Sequence, residues 1–413
     1  METTARSIED HVRFICELAR QLHMAGTAAP RLEAALNSVS ARLALRAQVL
    51  STPTSVTLTF NRADDDADAL ARHTQILRLD PGDVDLRQLA HVDRVAEDVA
   101  SGRLDTVAGR AALRELKPRT HPLWHLAMVA SFGLASGAVA VLLKGSVADV
   151  GVAALLGTAI GALAMLTPGR PHLAAGFEAI VAFLVTLVIY GVHVHLVPLS
   201  VNPVAISALI VLLPGLMLTT AVNELATQHL VSGMARLAGA GAVLLKLGFG
   251  IAAASHVAKV LGWEAPVLPA VPLPTWAEWT ALGAASFAFA VLFRAARRDY
   301  LIVMASAWLG YLVTRGGGAL FGAEFGVFAA GLIVCVVANL YAWRFSRPGA
   351  LVRVPGVILL VPGSVGLRSL FFVFERDVYL GLDTAFSLVI VLASLVAGLL
   401  MGNMLVPPRR SLS

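Results

Sequence analysis

Residues 210–233 read IVLLPGLMLTTAVNELATQHLVSG, and residues 358–381 read ILLVPGSVGLRSLFFVFERDVYLG. Ile210, Leu212, Pro214, Gly215 and Gly233 of the first stretch recur, at one constant offset, as Ile358, Leu360, Pro362, Gly363 and Gly381 of the second. Each copy begins as an apolar run that a Pro-Gly pair interrupts. Proline removes a backbone donor and glycine adds freedom, so within lipid the break is costly unless neighbouring helices or a cavity satisfy the freed carbonyls. A single break is more simply a packing kink. Two at matching places point to a repeated unit with broken helices beside a substrate site.

Working outward from these copies, apolar runs near the length of about 20 residues that spans a bilayer fall at 123–143, 148–166, 173–192, 203–221, 237–261, 276–293, 299–315, 320–343, 355–373 and 380–405. The copies occupy the fourth run of the first five and the fourth of the second five. Because five is odd, the second set enters the membrane inverted. The expected fold class is therefore a polytopic all-α membrane protein of about ten transmembrane helices, arranged as two inverted five-helix repeats over 122–262 and 263–413. Composition agrees: 57% of the chain is hydrophobic and 14% charged, where soluble proteins carry roughly 25% charged residues.

Residues 1–121 differ in character, with frequent Arg, Asp, Glu and His. Ile8, Val12, Ile15, Leu18, Ala19 and Leu22, then Leu32, Leu36, Val39 and Leu43 after Pro30, recur at helical spacing. RAQVLSTPTSVTLTF and HTQILRLDP are β-branched runs separated by a polar turn from Asn61 to Asp68, and helical patterns return near Leu86–Val99 and Thr106–Leu116. This is an N-terminal α+β domain. Its amphipathic opening lacks the apolar core of a cleavable signal peptide, so the domain is expected in the cytosol of a bacterium, with the spans in the inner membrane. On that topology the inner loops hold Arg170, Arg236, Arg294, Arg297, Arg298, Arg344, Arg347, Arg353, Arg409 and Arg410, and the outer ones Lys144, Arg315, Arg368 and Arg376, the bias of positive-inside proteins. The net charge of +5 is thereby explained without nucleic acid. Trp124, Trp263, Trp276, Trp279 and Trp343 fall near span ends, where amphipathic rings settle.

The two Pro-Gly segments resemble the signatures of the threonine/serine exporter family, LLPGLMLTTAVNELATQHLVSGMARL in the first half and VPGVILLVPGSVGLRSL in the second. ICELARQLHMAGTAAPRLEAALNSVSARLAL followed by TPTSVTLTF is similar to the family's amino-terminal region. The resemblance covers nearly the whole chain. It implies secondary-active export of threonine and serine driven by the proton gradient, with a dicarboxylate such as succinate the alternative substrate. Asn223-Glu224 and Gln228-His229 depart from the pairs commoner in the family, a departure that bears on substrate and leaves fold and transport untouched.

Ionisable groups within spans default to functional candidates. Glu178, flanked by Phe177 and Ile180, is the candidate proton-binding carboxylate, since burial favours its neutral form; a carboxylate at the inner interface is the alternative. Lys246 lies near the middle of its span, partnering Glu178 or facing a cavity. The candidate substrate-binding set is Pro214, Gly215, Thr219, Thr220 and Asn223 with Pro362, Gly363, Ser364 and Arg368. Hydroxyl and amide groups suit an amino acid's polar ends, and Arg368 suits a carboxylate through its forked donors. Helix-packing hydroxyls and an interfacial Arg368 are the alternatives, and Asn339 and Asn403 read as interhelical hydrogen-bonding groups. Cys16 and Cys335 have no reason to pair. His23, His73, His91, His121 and His125 have no metal-like spacing, and no phosphate-binding loop or nucleophile elbow occurs, so neither cofactor nor metal is expected and the chain is not read as an enzyme. A membrane-anchored hydrolase working through the head is the rival from another class. For the head itself, gating, homo-oligomer assembly and substrate reception are all compatible with the sequence.

Overall fold

The computed structural model describes residues 2–66, 70–71, 73–115, 121–264, 273–361, 363–374 and 377–408. Pro362, Arg376, Arg409 and Arg410, named above, lie outside the described residues. The head comprises α1 (Glu2–Met24), α2 (Ala29–Arg42), β1 (Leu45–Thr52), β2 (Ser55–Arg62), β3 (His73–Arg78), α3 (Leu86–Ala100) and α4 (Thr106–Arg114). Its three strands form an antiparallel sheet in sequence order, with Thr52 opposite Ser55. RAQVLSTPTSVTLTF is thus two strands, folded back at Pro53-Thr54. Along β2 alternate residues Val56, Leu58 and Phe60 are buried, as a half-covered sheet requires. They pack on Phe14, Ile15, Leu18 and Leu22 of α1 and on Leu32 and Leu36 of α2. Asp85 and Asp105 cap α3 and α4, accepting from the amides of Gln88 and Ala108.

The body follows as α5 (Pro122–Leu142), α6 (Val147–Ala164), α7 (Pro171–His195), α8 (Val201–Ala208), α9 (Gly215–Ala226), α10 (Leu230–Val260), α11 (Thr275–Leu292), α12 (Tyr300–Phe321), α13 (Ala323–Phe345), α14 (Ala350–Ile358), α15 (Gly363–Phe374) and α16 (Val378–Leu405). Every apolar run of the sequence is helical, but the fourth and ninth are each two helices. Leu209 and the single turn Ile210–Leu212 separate α8 from α9, and this pair bends by 55°. Among the described residues seven helices are long and apolar enough to cross a membrane, α14–α15 counting as one, or eight with the bent pair α8–α9. The expected ten exceeds this because α11 and α12 fall short. Trp276, Glu278 and Trp279 dilute the start of α11, and Arg315 with Gly316–Gly318 the last third of α12.

Helices approach through small residues, as bundles in lipid do. A Cβ on Gly310 of α12 would fall 1.9 Å from the Gly356 carbonyl oxygen of α14, and one on Gly398 of α16 would fall 2.2 Å from the Phe328 carbonyl of α13. The head is not a tethered appendage. Leu86 of α3 donates its amide to the Phe293 carbonyl at 3.0 Å and is buried among Ala281, Ala285 and Phe289 of α11, while Ala350 of α14 joins the head's own core.

Gly310→Ala should therefore lower the melting temperature of the purified protein well beyond Gly241→Ala, where a Cβ meets nothing within 4 Å. Overpacking costs about 1–3 kcal/mol, and the opposing atom here is backbone. Equal melting of the two variants would contradict the α12–α14 crossing.

Candidate substrate site at the crossing of the two broken helices

The glycines of the two Pro-Gly pairs are bonded alike. The Gly215 amide donates to the Leu213 carbonyl at 2.8 Å, and the Gly363 amide donates to the Val361 carbonyl at 2.9 Å, so both copies make a three-residue turn immediately before a helix begins. They also touch. A Cβ on Gly363 would lie 3.3 Å from the Gly215 Cα, and one on Gly215 would lie 2.4 Å from Val361 Cγ1. Only glycine permits that approach. The later glycines of the repeat match as well: a Cβ on Gly233 would strike Leu225 Cγ at 2.8 Å, and one on Gly381 would strike Val373 Cγ2 at 2.5 Å.

Beside this crossing lies a cavity of about 670 Å³ between the head and the body. From α9 it takes Thr219, Thr220 and Asn223; from α14, Arg353, Val354 and Val357; from α16, Asn403; and from α2 of the head, Arg31 and Ser38. Thr219 is buried and its hydroxyl donates to the Gly215 carbonyl at 3.3 Å. Arg353 donates to Asn339 Oδ1 at 2.6 Å, and Asn339 in turn donates to Asn403 Oδ1 at 3.0 Å, joining α14, α13 and α16. Ser364 is half-buried and Arg368 exposed on α15, and neither lines this cavity. Glu178 of α7 and Lys246 of α10 form an ion pair of 2.7 Å, with Ala175 O also accepting from the ammonium at 3.3 Å, away from the cavity wall. Among the described residues no group of three or more His, Cys, Asp or Glu could hold a metal ion.

The residue that organises the head–body contact is one the sequence marks only as an oddity. Glu224 of α9 is fully buried. Its carboxylate accepts from Arg236 Nε at 3.0 and 3.1 Å, from Ser232 Oγ at 2.7 Å, and from the Ala29 amide, the first of α2, at 2.9 Å. A body carboxylate thus caps a head helix, at the end where the helix dipole favours negative charge. Arg31, Arg236 and Arg353 also escaped notice, the first as part of an amphipathic surface helix, the others as loop charges. His23, buried nearby with Nε2 3.1 Å from the Pro53 carbonyl, is held below its ordinary value of 6.5 by burial and by the neighbouring Arg236 charge, against that hydrogen bond.

Helices of membrane-crossing length, two broken helices in contact and a cavity beside them define a multi-pass membrane protein. Residues 13–258 match the family described as "Putative threonine/serine exporter", and residues 280–405 match "Threonine/Serine exporter, ThrE". The chain belongs to the threonine/serine exporter family, which consists of membrane exporters and not of enzymes, and the hydrolase alternative is set aside. It is 26% identical over 344 residues to "Probable threonine/serine exporter" of Mycobacterium tuberculosis, covering 79% of this chain and 64% of that one. The "Threonine/serine exporter" of Corynebacterium glutamicum is 25% identical over 351 residues, 79% of this chain and 70% of its own. "Pheromone-regulated membrane protein 10" of Saccharomyces cerevisiae is 24% identical over 374 residues, 86% of this chain and 47% of the yeast protein, so the chain spans about half the length of that relative. No solved structure matches.

Two outcomes follow from the docking geometry. Glu224→Ala leaves Arg236 buried without its partner, a loss of about 3–5 kcal/mol; amide exchange over Ala29–Arg42 should accelerate by at least tenfold, and unchanged exchange would remove Glu224 from the docking role. The neutral form of His23 supports the docked head, a contribution fully present above pH 6.5 and lost as pH falls through the lower folded value. The same exchange measurement should accelerate on acidification, less so in His23→Gln.

Proposed function

We propose that the protein is a secondary-active exporter of threonine and serine, driven by the proton gradient, with its substrate site at the paired Pro-Gly segments. The observation that carries this is the contact between Gly215 and Gly363, the matching glycines of the two halves, each with its amide bonded to the carbonyl two residues back. Such a pair lets one half rock against the other around a fixed site.

Ten crossings in two inverted halves, 122–262 and 263–413, account for the packing. In the first half α10 lies against α7 and α9; in the second α16 lies against α13 and α15; and across the halves α9 meets α16 as α15 meets α10. Ten crossings also sort the chain ends. The end of α9, the end of α11 and the start of α14, where the head docks, fall on one side. On the other side Lys144 at the end of α5, Glu278 at the start of α11 and Arg315 near the end of α12 meet, Lys144 Nζ lying 3.1 Å from Glu278 Oε2 while Arg315 and Tyr311 bond Oε1. With Arg236, Arg294, Arg297, Arg298, Arg344, Arg347 and Arg353 on the head's side, the positive-inside bias argues for a cytosolic head and a bacterial inner membrane. Threonine and serine are favoured by the names of the bacterial relatives. Thr219, Thr220 and Asn223 supply hydrogen bonds near the crossing, and Pro214, Gly215, Pro362 and Gly363 form the breaks. Ser364 and Arg368 follow the second break, and a role for them belongs to a conformation in which α15 turns toward the cavity. Glu178 and Lys246 are the proposed proton-coupling pair, because an intramembrane carboxylate bound to one ammonium exchanges that partner for a proton with little rearrangement.

Purified protein in proteoliposomes should exchange labelled threonine and serine in counter-flow and expel them when a proton gradient is applied. Glu178→Gln should reduce gradient-driven efflux at least tenfold while exchange persists. Undiminished efflux removes Glu178 from the coupling, and absence of exchange with either amino acid rejects the substrate. Reporters after Ser413 and between Trp263 and Trp276 should fall on opposite sides of the membrane; the same side would reject the inverted halves.

A further inference from the structure

We infer that Arg31 of the head and Arg353 of α14 form a carboxylate-binding pair, so that the head contributes directly to the substrate site of the membrane body. Among the described residues the cavity wall contains these two guanidinium groups and no Asp or Glu. Glu224, behind the wall, is saturated by Arg236, Ser232 and the Ala29 amide. The Arg31 guanidinium has five N–H donors, and among the described residues it has neither a hydrogen bond nor an ion pair. It sits two residues from the Ala29 amide that Glu224 anchors, and it shares the cavity wall with Val357, Leu399 and Asn403 of the body. A head side chain therefore extends into the body. Withdrawal from water holds its pKa below the ordinary arginine value.

Arg353 is partly committed. One terminal nitrogen donates to Asn339 Oδ1, whereas its Nε is buried with no partner among the described residues. The Asn339–Asn403 bond holds that side chain in place, leaving a donor edge free. An arginine so fixed suits the planar geometry of a carboxylate, which it can engage through two parallel N–H groups. The ligand class this wall recognises is a small solute bearing at least one carboxylate. A zwitterion would set its ammonium toward the Thr220 and Asn223 oxygens, and a second carboxylate would balance the second guanidinium.

The assignment rests on the export reading only in taking the bound solute to be the transported one. Its test is equilibrium binding to the full-length protein in detergent, followed by displacement of labelled ligand, with threonine, threonine amide, succinate and succinamide as probes. Threonine or succinate should bind, and replacing its carboxylates by amides should weaken binding at least tenfold. Arg31→Gln and Arg353→Gln should each do the same to the carboxylate ligand, with Arg31→Lys restoring part of the loss. Amides that bind as well as the acids, variants within twofold of the parent, or binding of neither acid would overturn the pair. The amide series needs no variant, so it decides even if a substitution disturbs folding. Succinate binding that depends on both arginines, with no threonine binding, would leave the pair standing and reject amino-acid export. Threonine exchange unaffected by either substitution would do the reverse.

Discussion

A carboxylate with no access to water has to be surrounded by donors, and Glu224 meets that requirement with donors drawn from both parts of the molecule. Arg236 and Ser232 come from the helix that follows it, and the Ala29 amide comes from the head. Removing any one leaves charge or a donor uncompensated in a low-dielectric place. The start of α2 is thereby fixed over the end of α9, and with it the roof of the cavity and the placement of Arg31. The apolar contacts of Leu86 and Ala350 add area to this interface; Glu224 gives it a single register.

The two three-residue turns have a related role inside the body. A helix interrupted by proline needs its loosened carbonyls occupied, and here Leu213 and Val361 accept from the glycines two residues on. Because each turn satisfies itself, the segments can press backbone against backbone without a third element between them. Gly233 and Gly381 then let the chain reverse tightly into the long fifth helix of each half.

How much of this is legible in the sequence depends on whether a residue's meaning lies in pattern or in partnership. The apolar runs, the head's amphipathic helices and the paired Pro-Gly breaks are patterns, and a helix stands at every run. The pairing of Glu178 with Lys246 is also visible, because a lone charge in an apolar run asks for an opposite one. The hairpin at Pro53-Thr54 is hidden, since neither Gly nor Asn marks the turn and the β-branched residues run on through it. Glu224 and Arg31 are hidden for a deeper reason. On an amphipathic helix a charged residue ordinarily faces solvent, and only the docking of one part on another converts that face into an interior. Arg353 is hidden as well, because it stands two residues before the apolar run that begins at 355 and reads as a loop charge, whereas α14 begins at Ala350 and takes it in. The division of α11 and α12 from the more apolar helices is legible in composition once Glu278 and Arg315 are seen to face each other.

Gly215 and Gly363 are the first residues of α9 and α15, and they meet. Two helix beginnings therefore converge on one point, each carrying roughly half a positive elementary charge from its aligned peptide units. Their amides are turned back onto Leu213 and Val361, which mutes the like-sign repulsion without cancelling it. The crossing is thus held by close packing and loosened by its own dipoles, a balance with no titratable group in it.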